Sequence, residues 1–452
     1  MNNLIDIILF PLYVALFALF FAWRRKKIED PVLKKYHRIG FWIKVFSTVA
    51  YIIFSVKLAK LDSTFLYYPE GVNIVKLIFK DVSNIKLLFA AGKDFDPNLL
   101  ANTLNKGYFN SESNYFIAKL VAFLSFISFG NYSVITLFFS MISFSGVWRL
   151  YKFFYEQYPH LHKQLAIAIL YLPNFVFWSS GILKDPLCTG MLGWFTYGMY
   201  KIIIRKESVI KNIVIVLISG YIIGLVKGYI LGSYLPFLLL FFLGTWIKSI
   251  KQTVIKLSLL FFILLLTAAG FFLAKDLIME GMVDKLAESV QDTQVNFINI
   301  ADYAESSFSL GVEFDGTPGG LLKIAPAGML ATLYRPFLWE AKGISSMLSA
   351  IESFAFMLFT LYVLLKAGPF TFVGGILKDP MIMYCMLFAL VFALFIGVTT
   401  LNFGTLVRYK IPCMPFYIIA LILILERHKT KKLQKAAAKE LEKSLTVNPP
   451  LS

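Results

Sequence analysis

Apolar runs long enough to cross a membrane recur along almost the whole chain. At about 17–25 residues each, they fall at roughly 4–23, 40–60, 132–151, 164–181, 187–204, 210–226, 229–247, 254–274, 346–366, 382–400 and 409–426. These runs predict an all-α polytopic membrane protein of about eleven spans, an odd number that puts the termini on opposite sides. A shorter run, Tyr115–Phe129 (YFIAKLVAFLSFISF), carries Lys119 and reads as an interfacial helix with the lysine lifted to the headgroups. Two outer loops follow, at about 61–131 and 275–345. The second opens on an amphipathic stretch, Lys275–Val290, crosses Gly311–Gly320 and returns through Leu321–Trp339.

Composition agrees with the pattern. The chain is 58% hydrophobic and only 16% charged, more apolar surface than one water-soluble core can hide. Met1–Phe10 lacks a basic leader region, and the first run ends on Arg24-Arg25-Lys26-Lys27, as expected of a retained anchor with its N-terminus outside. The net charge of +17 does not indicate nucleic acid, because the basic residues cluster beside spans rather than in a stripe with exposed aromatics. With Tyr115–Phe129 on the surface, the inner side collects most of the lysines and arginines, Lys44 and Arg149 among them. It collects fewer than a third of the acids. The chain divides into an extra span and basic loop (1–39), a transmembrane core (40–426) and a basic cytoplasmic tail (427–452). No internal repeat argues for an inverted-repeat transporter. Cys188, Cys385 and Cys413 lack metal-ligand spacing and read as small buried hydrophobes.

All four histidines (His37, His160, His162, His428) map to the inner side, so acid–base work on the outer face falls to carboxylates. Four charged features sit at outer span ends: Asp62, the Lys184-Asp185 pair after Trp178-Ser179-Ser180-Gly181, Lys227 in IIGLVKGYI, and Arg408-Tyr409-Lys410. Each has an ordinary reading. Lys227 alone suits a snorkelling anchor, Asp62 a helix cap, and Asp185-Pro186 a helix start with aspartate as the cap. Together they supply the carboxylates and cations needed to bind an anionic headgroup and deprotonate an alcohol. In Tyr334-Arg335-Pro336-Phe337-Leu338-Trp339-Glu340, a cation and a carboxylate are joined by aromatics. That suits either a sugar-stacking surface or an interfacial aromatic belt.

From Val45 to about Leu425 these pieces resemble, in order, the polytopic glycosyltransferases of the GT-C fold, the mannosyltransferase and aminoarabinose-transferase-like superfamily. The first-loop Asp-x-x-x-Tyr pattern is similar to Asp62–Tyr67, which has one residue more. An interfacial helix ending near Phe-Gly matches Phe129-Gly130, and Pro-x5-Ser followed by an acid matches Pro173, Ser179 and Asp185. Gly224-Leu225-Val226-Lys227-Gly228 is one residue shorter than Gly-Leu-x-x-Lys-Gly, and Arg408-Tyr409 to Pro415 fits Arg-Tyr-x-x-Pro-x-x-Pro. The resemblance implies transfer of a sugar from a polyprenyl-phosphate carrier to a glycan or lipid acceptor, outside a bacterial inner membrane, in one inverting displacement. It makes Asp62 the general base and Asp185 a second carboxylate. Tyr67, Lys184, Lys227, Arg335, Arg408 and Tyr409 become substrate contacts. No cofactor is implied, although a divalent metal at Asp185 stays open. A membrane polysaccharide polymerase or ligase shares much of this description, with more reliance on arginines, and a transporter or flippase ranks third because the charges lie at span ends.

Overall fold

The computed structural model describes residues 4–59, 61–94, 96–99, 107–249, 308–311, 318–341 and 344–447. These residues are helical, with no strand. Among the described residues, six helices are long and apolar enough to cross a membrane, or seven if one bent pair is a single span. The chain is thus an all-helical, multi-pass membrane protein. It divides into two compact units, Met1–Gly232 and Ser233–Ser452.

In the first unit, α1 (Leu4–Lys26) exposes Leu12, Leu16, Leu19 and Phe20, side chains suited to hydrocarbon. Asp30 starts α2 (Pro31–Ile53) by accepting the Val32 and Leu33 N–H groups, with Pro31 at the first helical position. The helix then continues through a π-turn, Phe54–Leu58. Between α2 and α5, α3 (Tyr68–Lys80) packs on α4 (Glu112–Ser128), with Gly71 against Val121. Asn131 caps α5 (Tyr132–Tyr155) through the Val134 N–H at 2.9 Å.

The central contact of this unit joins α5 to α8 (Lys184–Tyr200). A Cβ on Gly146 would lie 1.7 Å from the Gly190 carbonyl oxygen, and one on Gly193 would lie 2.0 Å from that of Gly146. The two backbones therefore touch, as small residues permit between membrane helices.

Several drawn spans take other forms. Residues 164–181 make two short helices, α6 (His162–Leu170) and α7 (Pro173–Trp178), because Pro173 removes a donor and sets a new helix start. Residues 187–204 form most of the 17-residue α8 and the π-turn Lys201–Arg205. The runs 210–226 and 229–247 join as α9 (Val209–Ser249), interrupted where Lys227 leaves helical geometry at φ −150°, ψ 71°. The run 254–274 and the amphipathic stretch 275–290 lie outside the described residues, as does most of the loop read as 275–345. The eleven-span count is therefore not what the described helices carry.

The second unit holds α10 (Pro318–Tyr334), α11 (Ile344–Ala367), α12 (Pro369–Lys378), α13 (Pro380–Thr399), α14 (Phe403–Tyr409) and α15 (Met414–Val447). Here too a glycine pair lets helices touch: a Gly397 Cβ would meet the Gly328 carbonyl oxygen at 1.9 Å, joining α10 to α13. Asp379 caps α13 through Met381 and Ile382, and Asn402 caps α14 through Thr405. The path bends by 61° between α14 and α15. α15 runs on into the basic tail, which is fully exposed over 429–440.

The run read as interfacial is a helix, α4, but Lys119 does not reach outward. Its ammonium turns back to Glu112 at 2.8 Å and to the Ala90 carbonyl at 3.0 Å. Glu112 also accepts the Gly92 N–H at 2.5 Å, so this carboxylate straps the preceding loop to α4. Its burial favours the neutral acid, but the hydrogen bonds from Lys119 and Gly92 and the Lys119 charge outweigh that and lower its pKa from the ordinary 4.5. A depressed carboxylate contributes stability above its unfolded value and loses it as pH falls through the native one. Acidification below about pH 4.5 is thus expected to raise hydrogen exchange at the Gly92 amide relative to an unstructured amide at the same pH. Glu112→Gln should show fast exchange already at neutral pH, with the acid-dependent rise removed.

Candidate functional site

The site in the first unit is built around Asp185. The sequence suggested an N-cap here, but the chain turns helical earlier. Leu183 is the extended cap residue, and Asp185 lies inside the first turn of α8. Its carboxylate is 1% exposed and sits 2.5 Å from the ammonium of Lys227, whose side chain is 5% exposed. Carboxylate charge is favoured at a helix N-terminus, and a charge this buried persists only when paired. The break in α9 has its cause here, since Lys227 is the residue that leaves the helical run and also the one that reaches Asp185. Lys227 is therefore not a solvated or snorkelling anchor.

Lys184, next in chain, points elsewhere. Its ammonium donates to Ser113 Oγ at 2.8 Å, in the first turn of α4. One residue on, Asn114 Oδ1 accepts from the Tyr67 hydroxyl at 3.3 Å, and Tyr67 also accepts from the Tyr108 hydroxyl at 2.9 Å. Two residues singled out from sequence, Lys184 and Tyr67, thus converge on the start of the interfacial helix.

Asp62 is half-buried and stands immediately before a second π-turn, Ser63–Tyr67. The Tyr68 N–H bonds the Ser63 carbonyl, closing the i→i+5 ring of that turn. The segment is anchored at Ser63, which is fully buried and accepts from the Tyr51 hydroxyl at 3.0 Å and the Tyr132 hydroxyl at 3.2 Å. The Tyr51 ring in turn lies on Gly181, where an added Cβ would fall 2.1 Å from it. Tyr51 thus links the Asp62 segment to the loop that delivers Lys184 and Asp185. Beside the turn, a cavity of about 360 Å³ is lined by Thr64, Tyr68, Pro69, Val72, Asn73, Lys76 and Tyr132. Asp62 is not part of its wall.

Sequence reasoning missed Lys44. Counted there as an inner-side charge, it is 4% exposed within α2 and donates to the Ser179 carbonyl at 2.6 Å, Ser179 Oγ at 2.5 Å and the Val176 carbonyl at 3.3 Å. It therefore holds the C-terminal end of α7, from which the Asp185 loop departs. The signal lay in its position well inside an apolar run, where a lysine needs internal acceptors.

Arg335, Arg408 and Tyr409 belong to the second unit. Arg335 pairs with Glu340 through two bonds, at 3.1 and 2.5 Å, and donates to the Ser309 carbonyl at 2.8 Å. Its guanidinium lies 4.3 Å from the Phe308 ring centroid and 5.3 Å from that of Phe403. The aromatic segment thus builds a closed ion pair on a ring stack rather than an open cation. Arg408 and Tyr409 are half-buried at the end of α14. Lys410, given no role from sequence, is 1% exposed and donates to the Arg335 carbonyl at 3.0 Å and Ser353 Oγ at 2.8 Å.

Among the described residues, no group of three or more His, Cys, Asp or Glu side chains is placed to hold a metal. His162 Nδ1 instead shares a hydrogen bond with the Tyr36 hydroxyl at 3.0 Å, and His37 is buried against Phe144 and Trp148. No protein-family model, curated protein or solved structure matches the chain.

Proposed function

We propose that the protein is a membrane glycosyltransferase that moves a sugar from a polyprenyl-phosphate carrier to a glycan or lipid acceptor on the extracytoplasmic face. The observation that carries this reading is the buried Asp185–Lys227 pair beside Lys184. In the same unit, Lys184 and Tyr67 meet at the start of α4, at neighbouring residues. In this reading Asp62 is the base. An acceptor hydroxyl ionises far above neutral pH, so Asp62 acts as the O–H bond breaks in the transition state. Asp185 orients the acceptor, and Lys227 fixes that carboxylate while keeping the further donors of an ammonium group. Lys184 offsets the charge that grows on the leaving phosphate.

The polymerase or ligase alternative relies more on arginine, and the pairing of Arg335 with Glu340 weighs against it. The bacterial inner membrane, with the N-terminus outside, remains the setting this reading implies.

Asp62→Asn tests the proposal. In vesicles containing a lipid-linked sugar donor, the variant is expected to insert and accumulate normally while transfer falls by at least about a hundredfold, the usual lower bound for a lost general base. Transfer within a few-fold of wild type would remove Asp62 from the chemistry and the mechanism with it.

A further inference from the structure

At the other end of the α5–α8 pair, a second cluster has no part in this reading. Tyr197 lies about 18 Å further along α8 than Asp185, at ~1.5 Å per residue. Four cations gather there, Arg149, Lys152, Lys201 and Arg205, around two acids, Glu156 and Glu207. The acids are already engaged. Glu156 is met by Lys152 at 3.7 Å, Lys201 at 3.5 Å and the Tyr197 hydroxyl at 2.7 Å. Glu207 is met by Lys201 at 2.9 Å and Arg205 at 3.1 Å.

Arg149 receives none of this compensation. Its guanidinium lies 3.5 Å from the Trp194 ring centroid and 5.6 Å from that of Tyr197. Its Nε is buried without a hydrogen-bond partner, and among the described residues it makes no ion pair with a carboxylate. Trp194 is itself fixed by a 3.0 Å bond from Nε1 to Ser145 Oγ, so the arginine rests on a prepared platform. A snorkelling anchor differs in being mobile and solvated. Stacking leaves the edge of a guanidinium open, and that edge matches two oxygens of a phosphate. The charge left over in the cluster is positive, and the cluster lies at the end of a membrane helix, where lipid phosphates are concentrated.

We propose that Arg149, stacked on Trp194 and Tyr197 and flanked by Lys152 and Lys201, forms a binding site for a phosphate group, as carried by an anionic phospholipid headgroup. The full-length protein, purified in zwitterionic detergent, tests this by thermal unfolding during titration with phosphatidylglycerol, phosphatidylcholine or inorganic phosphate. Phosphatidylglycerol is expected to raise the unfolding midpoint. Arg149→Gln should need at least about tenfold more lipid for half the effect, the equivalent of losing one charge-assisted contact. Arg205→Gln, altered at an exposed cation already paired with Glu207, should follow wild type. Arg149→Lys, which keeps the charge but not the fork, should fall between them and decides the matter if Arg149→Gln does not fold. Stabilisation by phosphatidylglycerol alone identifies a lipid headgroup, and stabilisation by inorganic phosphate identifies a soluble phosphate. An equal response of wild type to both lipids with none to phosphate, or equal responses of wild type and both Arg149 variants, overturns the site.

Discussion

Lys227→Met is expected to destabilise the protein by about 3–5 kcal/mol and, on the proposed function, to abolish sugar transfer, because it removes the Lys227 counter-charge from the buried Asp185 carboxylate. The pair lies at 2.5 Å with almost no solvent contact, so neither partner can recover by hydration. Removing both charges has a different consequence. The double variant Asp185→Leu/Lys227→Met takes away the desolvation cost along with the attraction, and such apolar replacements are often near neutral for stability. It should therefore unfold close to wild type yet remain inactive. Thermal unfolding in detergent and transfer from a lipid-linked donor separate the two effects. A single variant as stable as wild type would mean that the pair is not coupled, and an active double variant would place the chemistry elsewhere.

Gly146→Leu should have an effect as large through packing alone. The nearest obstacle to its side chain is the Gly190 carbonyl, 1.7 Å from the Cβ position, and backbone cannot rotate aside as a side-chain tip can. Separating α5 from α8 forfeits the close contact on which the first unit is built. The expected loss is about 3 kcal/mol or more, at the upper end of overpacking penalties. Little monodisperse protein should survive size-exclusion chromatography after mild heating. Gly224→Ala is the matching control. Among the described residues nothing lies within 4 Å of that position, so helix propensity dominates and the change should be neutral or stabilising by up to about 1 kcal/mol. Equal behaviour of the two variants would show that the α5–α8 contact does not hold the unit together.

How much of the site was legible depended on the kind of signal. Asp185 and Lys227 stood out because charge at the edge of an apolar run is costly, and the structure joins them. Tyr67 and Lys184 were singled out as well, but their meeting at Ser113 and Asn114 was not visible, since more than forty residues separate each from its partner. Arg335 looked like an open cation because Glu340 stands five residues away, a spacing that carries no contact unless the backbone turns, as it does here. Lys44 and Lys410 looked like boundary charges. Each is buried and held by carbonyl and hydroxyl oxygens, acceptors that every sequence contains and that mark no position.

The sequence alone determined the medium and the material: long apolar runs require a lipid surround, and helices are how a chain satisfies its own backbone there. Several helix starts are set just as locally, since the caps Asp30, Asn131 and Asp379 act on amides two or three residues away. Only the tertiary structure decided which runs continue, break or join, because length and hydropathy do not register a turn made at one residue, as at Lys227. It also decided which charges are neutralised, whether Lys227 by Asp185 or Arg335 by Glu340, because electrostatic energy depends on distance and burial in space and not on order along the chain.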